Sequence, residues 1–256
     1  MIEKVSFPKL NRSSKLEESR TTPQLIKEAV QQFLLQKQYR KAESALEIAQ
    51  ALDPYDPEIS YLLGITSLAL NKPHRSILHL KRVINSDLSF VFRSHARLLL
   101  AYANINLERY EEAIKTLEDY IKENGEDYFS LEMLGYAHSE SGNRDEAIKI
   151  YEKLVEKYPD KYVPMNNLAY ALIETEEDQE SLKKAEILAT RAYGMNSDDP
   201  YIVDTYGWML HKLGEYKRAH NILNIALEIA TRNNYPEKLK KIIREHIKSN
   251  DEERRI

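Results

Sequence analysis

The chain of 256 residues contains no cysteine. Disulfide staples, thiolate metal centres and cysteine nucleophiles are therefore excluded. Glycine is scarce, with seven residues, and none is arranged as a phosphate loop or a dinucleotide fingerprint. No serine stands in a nucleophile elbow. No apolar run reaches the ~18 residues of a membrane span, and the opening MIEKVSFPKLNRSSKLEESR has no apolar stretch of the kind a secretory signal needs. These absences predict a soluble, cytoplasmic protein without membrane insertion, in which the sequon Asn11-Arg12-Ser13 is fortuitous. A strong positive charge is also missing. The net charge of −4 leaves no basic footprint for nucleic acid or an acidic membrane.

Seven histidines, His74, His79, His95, His138, His211, His220 and His246, form no i, i+4 pair and no metalloprotease motif, so no metal is expected. Acidic pairs such as Glu111/Glu112 fall on predicted exposed helix faces, where solvated carboxylates are the ordinary reading. No catalytic residue and no cofactor is expected. A site assembled from distant segments is the one enzymatic arrangement that spacing alone does not exclude.

The hydrophobic share of 42% supports a core, and the charged share of 30% suits a thin structure with much surface. Residues 1–21 are polar, of mixed charge and without periodicity, which predicts a flexible arm. From Pro23 the chain repeats itself. Periods starting near residues 23, 57, 94, 128, 162 and 200 are separated by 34, 37, 34, 34 and 38 residues. A period near 34 with two amphipathic helices per unit is a solenoid signature. The stretch Tyr128–Lys161 is the best copy. At the eighth place stand Val30, Gly64, Ala101, Gly135, Ala169 and Gly207, and at the twentieth Ala42, Ser76, Ala113, Ala147, Ala185 and Ala219. Small residues there let two helix axes approach. The seventh and twenty-fourth places are mostly large, with Leu134 and Tyr151 in the fourth unit. None of the nine prolines interrupts a predicted helix interior.

Units one, three and five depart from the pattern. Val30 replaces a small residue in unit one, which predicts a loosely packed first helix or a cap. Units three and five lack the inner-turn glycine, with Glu108 in one and the acidic insertion ETEEDQESLKK (174–184) in the other. After residue 235, Leu239, Ile242, Ile243 and Ile247 make one apolar stripe, read as a C-terminal capping helix and tail over 236–256.

The segments LGYAHSESGNRDEAIKIYEKLVEKYPD (134–160) and YGWMLHKLGEYKRAHNILNIAL (206–227) resemble the tetratricopeptide repeat, and NNLAYAL (166–172) with DTYGWMLHKLGEY (204–216) resembles the C-terminal repeats of bacterial members. The resemblance covers 22–235. It implies an all-α fold, a right-handed α-solenoid of about six helix-turn-helix repeats, whose first helices line a concave groove. In this phasing the ninth place reads Gln31, Ile65, Tyr102, Tyr136, Tyr170 and Trp208, a rising aromatic stripe. The fifth place adds Asn166 and Asp204, candidates to bond a peptide backbone, and the second adds Phe129 and Tyr201. Large rings with few rotors and a polar tip are effective anchors, though tyrosine at the ninth place can also pack between neighbouring first helices. Some family members clamp a terminal carboxylate with Lys, Asn and Arg. Here Lys27 and Gln31 are followed by Glu58, Tyr61 and Ile65, so that pattern is absent.

The expected function is a non-enzymatic scaffold or adaptor that binds a peptide segment of a partner protein. The alternative is self-assembly into homo-oligomers, through end helices or through a basic cluster (Lys72, Arg75, Lys81, Arg82, Arg93, Arg97) meeting an acidic one (Glu111, Glu112, Glu118, Asp119, Glu123, Glu126, Asp127). An RNA-reading array is opposed by Glu132, Glu174 and Asp204 on the groove places.

Overall fold

The computed structural model describes residues 22–87, 89–175 and 179–254. The arm expected over 1–21 and the centre of the acidic insertion, 176–178, lie outside them. The described residues form two compact units that divide between Gly125 and Glu126. The first holds α1 (Thr22–Leu35), α2 (Tyr39–Leu52), α3 (Pro57–Ala69), α4 (Pro73–Ile84), α5 (Phe90–Ile105) and α6 (Tyr110–Asn124). The second holds α7 (Tyr128–Glu140), α8 (Arg144–Lys157), α9 (Tyr162–Thr175), α10 (Gln179–Met195), α11 (Pro200–Lys212), α12 (Tyr216–Arg232) and α13 (Glu237–Glu253). Within each unit the helices pack as consecutive pairs, and the second helix of a pair lies on the first helix of the next.

Aspartates start three of the first helices. Asp56 accepts from the N–H groups of Glu58 and Ile59, Asp127 from Phe129 and Ser130, and Asp199 from Tyr201. Each supplies acceptors to donors that the helix itself leaves unpaired. At Asp127 the cap is reciprocal, because the Ser130 hydroxyl accepts from the Asp127 N–H. The third pair starts earlier than its period: α5 begins at Phe90 rather than at Ser94.

The turn inside a pair is closed the same way at five places. Lys37, Asn71, Glu108, Gly142 and Gly214 take positive φ of 56°, 56°, 57°, 85° and 76°. The next residue then donates back to a helix carbonyl, as Arg109 does to Asn104 and Asn143 to His138, both at 2.9 Å. This is the left-handed helix stop for which glycine is the usual residue. Three of these turns therefore place an ordinary side chain in the left-handed region, including unit three, where the glycine was missing from the sequence.

Close helix approach sets the core. A Cβ on Gly64 would lie 2.7 Å from a Leu80 methyl, one on Gly135 2.7 Å from the Tyr151 ring, and one on Gly207 2.8 Å from Leu223. The twentieth-place residues Ala42, Ser76, Ala113, Ala147, Ala185 and Ala219 are fully buried. Val30 is fully buried as well, within the core that holds Ala42 and Leu46, so α1 is packed despite its larger eighth-place residue.

Three of the six cations of the basic cluster, all within the first compact unit, are engaged locally. Lys72 pairs with Glu43 at 2.8 Å, Arg75 with Glu43 and Glu47 at 2.9 and 2.6 Å, and Arg97 with Glu123. Lys27 lies between Asp56 and Glu58, at 2.9 and 2.6 Å. Its ammonium is thus held by this chain's own carboxylates, consistent with the absent carboxylate clamp.

Relieving the left-handed strain at Glu108 gives a direct test of the turn. Glu108→Gly should raise stability by ~1 kcal/mol, read as a higher urea midpoint with an unchanged slope.

Candidate functional site

Seven of the eight aromatic and polar residues singled out by the repeat phasing lie in the second unit. The eighth, Tyr102, belongs to the first, where its ring packs against that unit's core. In the second unit α7, α9 and α11 are the first helices of their pairs. Phe129, Tyr136 and Tyr201 are exposed on them, while Tyr170 is half-buried. Tyr136 keeps 38% of its surface open, whereas Leu134, two residues earlier, keeps 8%. The two side chains of one helix thus have separate tasks, one filling the core and the other facing outward.

Trp208 and Asp204 face α13 rather than solvent. The Trp208 indole lies between two imidazoles, with His211 at 4.4 Å and His246 at 4.3 Å between ring centroids and planes within 4° and 9° of parallel. Its N–H donates to Glu174 Oε1 at 2.8 Å, and it retains 9% exposure. Asp204 is buried, and Nδ1 of His246 stands 2.9 and 3.1 Å from its two carboxylate oxygens. Burial raises the Asp204 pKa above the usual carboxylate range, against the opposing pull of His246. His211 approaches Asn250 Oδ1 at 3.3 Å, and Asn250 donates to the Tyr216 carbonyl at 3.0 Å. Burial lowers the His211 pKa despite the Asn250 contact, which favours a neutral ring in this stack.

Asn166 is also buried, with its Nδ2 3.5 Å from Asn167 Oδ1 and its own Oδ1 without a hydrogen-bond partner. Phe129 meets Tyr128 edge-on at 5.4 Å, and Tyr201 meets Tyr235 similarly at 6.0 Å.

Sequence reasoning missed His246 and Asn250. A signal was present: Leu239, Ile243, His246 and Asn250 follow at helical spacing, and all four are buried. Two polar residues on the inward stripe of a terminal helix require partners, and α11 and α12 provide them.

The start of α13 reaches back to α7, with Lys238 Nζ 2.9 Å from Glu140 Oε2. Neighbouring helix axes lie ~8–10 Å apart, so on a flat row these side chains could not meet across α9 and α11. The α13 helix therefore reaches over the side that α7, α9 and α11 form, where His246 also meets Tyr170 at 6.4 Å between ring centroids. Among the described residues no group of three or more His, Cys, Asp or Glu is placed to hold a metal ion, and no helix is long and apolar enough to cross a membrane.

Two family models match the chain. One, described as anaphase-promoting complex, cyclosome, subunit 3, covers residues 35–120; the other, tetratricopeptide repeat, covers 130–161. The repeated unit is a tetratricopeptide repeat. No curated protein sequence matches the chain. A tetratricopeptide repeat protein from Parabacteroides merdae ATCC 43184 superposes with a TM-score of 0.65 at 14% identity, covering 89% of this chain and 84% of that one. MamA from residue 41 to its end, from Desulfovibrio magneticus RS-1, gives 0.61 at 18% identity, with 68% and 94% covered. YrrB, described as a tetratricopeptide repeat protein with an unusual peptide-binding site, gives 0.54 at 14% identity, with 78% and 98% covered. At these identities the likeness is one of fold, an α-solenoid. A tetratricopeptide array is in general a protein-interaction scaffold.

The histidine–tryptophan stack ties α13 to the last tetratricopeptide repeat. His246→Ala should leave Asp204 buried without its partner and cost ~3 kcal/mol, with red-shifted Trp208 emission in the native state. An unchanged spectrum and midpoint would show that α13 is not held through this contact.

Proposed function

We propose that the second unit binds an extended or helical segment of a partner protein on the face of α7, α9 and α11, and that the chain acts as an adaptor without catalysis. The observation that carries this reading is the exposed aromatic group Phe129, Tyr136 and Tyr201, on helices whose core places are already filled by residues such as Leu134, Leu168 and Met209. Exposed rings not needed by the core supply anchoring area at small rotamer cost. YrrB, which shares the fold, is described as having a peptide-binding site, and that description supports the same use of the fold here. Tyr170 and Asn166 form the floor of the face. Asp204 and Trp208 act beneath α13, as its seat.

Leu134 and Tyr136 separate folding from binding. Leu134→Ala should destabilise by ~2–5 kcal/mol. Tyr136→Ala should change stability by about 0.5 kcal/mol or less while weakening capture of a partner from the native cell about tenfold or more. If the two variants melt alike, Tyr136 is a core residue and the reading fails.

Self-assembly through an end helix is a second reading, favoured by Leu25 and Leu35 on α1, Ile48 and Leu52 on α2 and Tyr55 after it, all exposed. An apolar group at the first pair suits a contact between copies. Light scattering over a range of concentration and salt decides: this reading expects a mass that rises with concentration and persists in salt, and a monomer throughout overturns it.

A further inference from the structure

The face formed by α7, α9 and α11 carries rings together with carboxylates. Glu132 and Glu140 lie on α7 on either side of Tyr136, Glu174 ends α9, and Asp199 caps α11. Their field is felt by the tyrosines around them. Burial raises the pKa of Tyr128, and Glu132 adds to it; burial raises Tyr170, with Glu174 and Asp204 adding; burial raises Tyr201, with Asp199 and Glu140 adding. Cations do reach the face. Arg144 donates to the Glu174 carbonyl at 3.2 Å, Lys212 lies 5.0 Å from the Trp208 ring centroid, and Lys238 lies on Glu140. The last is informative because it belongs to the start of α13, beyond the repeats, and acts on Tyr201 together with Glu140. The chain's own ammonium thus occupies the Glu140 carboxylate, with Tyr201 near enough to feel both charges. At the corresponding places the first unit has Lys27, Tyr61 and Leu98 for Glu132, and Leu35, Ala69 and Asn106 for Glu140 and Glu174, none of them a carboxylate; only the cap is shared, Asp56 on α3 matching Asp199 on α11.

We propose that the partner segment is basic: a Lys- or Arg-bearing peptide whose cation takes the seat of Lys238 on Glu140, between Tyr136 and Tyr201, with a second cation near Glu132 and its apolar side chains on Phe129 and Tyr136. This rests on the peptide-binding reading above and names the chemistry of its ligand. A carboxylate beside an exposed ring holds a cation by charge and by the ring's negative face. Lys238 is then an internal competitor, so free energy gained by the ligand's cation is offset by the contact that Lys238 gives up.

The test uses the full chain and a fluorescent synthetic peptide in which arginine and lysine alternate with leucine, against a copy with glutamate at each cationic place. The basic peptide should bind, weaken as salt rises, and lose about tenfold in affinity in Glu132→Gln/Glu140→Gln. Lys238→Ala should tighten it about two- to fivefold, since the exposed pair that it removes is weak. The glutamine variants keep side-chain size, and circular dichroism checks their fold. Equal binding of the acidic peptide, or affinity unchanged in the glutamine variant, overturns the basic-ligand assignment; a partner captured through Tyr136 would then leave the peptide-binding reading standing. If Tyr136→Ala lowers neither peptide binding nor partner capture, the peptide-binding reading itself falls.

Discussion

The constraint on which the structure depends is the approach of the two helices within a repeat. Where Gly64, Gly135 and Gly207 stand, the facing helix presents Leu80, Tyr151 and Leu223 at a distance that leaves no room for a Cβ. The large residue of the second helix is thereby driven against the backbone of the first, and each pair becomes a thin, closely packed layer. The outward place of a first helix then varies along the chain: it is buried as Ile65 in α3 and as Trp208 in α11, and open as Tyr136 in α7. Phe129, Tyr136 and Tyr201 are the rings of these helices that stay exposed in the second unit. Exposed rings that the core does not require are what an interaction surface needs.

The same economy explains how much was legible in the sequence. Small residues at two fixed places, large ones at two others and prolines between units are local demands of a single pair, repeated, and they are readable without coordinates. The inner turns were less legible. Glycine is the usual sign of the left-handed stop, yet Lys37, Asn71 and Glu108 adopt it, because the hydrogen bonds that close the helix and the packing behind it outweigh a modest backbone cost.

The candidate site divides along similar lines. That Tyr136 points outward follows from its offset from Leu134 within one helix. That Trp208 and Asp204 are covered does not, because their shared partner is His246, on a helix outside the repeat period. His246 appeared in the sequence as one of seven scattered histidines, and only the fold brings its ring onto Trp208 and its Nδ1 to Asp204. A long-range polar contact between dissimilar segments leaves no periodic trace. The one available sign was two polar residues on the inward stripe of α13.

That terminal helix also limits the face it borders. A stack of repeats leaves its last layer uncovered, and an apolar helix alone could cover it. Here the covering helix is held in addition by a buried carboxylate, a tryptophan between two imidazoles and an asparagine bridging to a backbone carbonyl, contacts that specify orientation as well as burial. Because that orientation is set, the start of α13 is set too, and Lys238 is delivered to Glu140 on α7. The contacts that seat α13 on Trp208 and Asp204 thus also set where Lys238 meets Glu140.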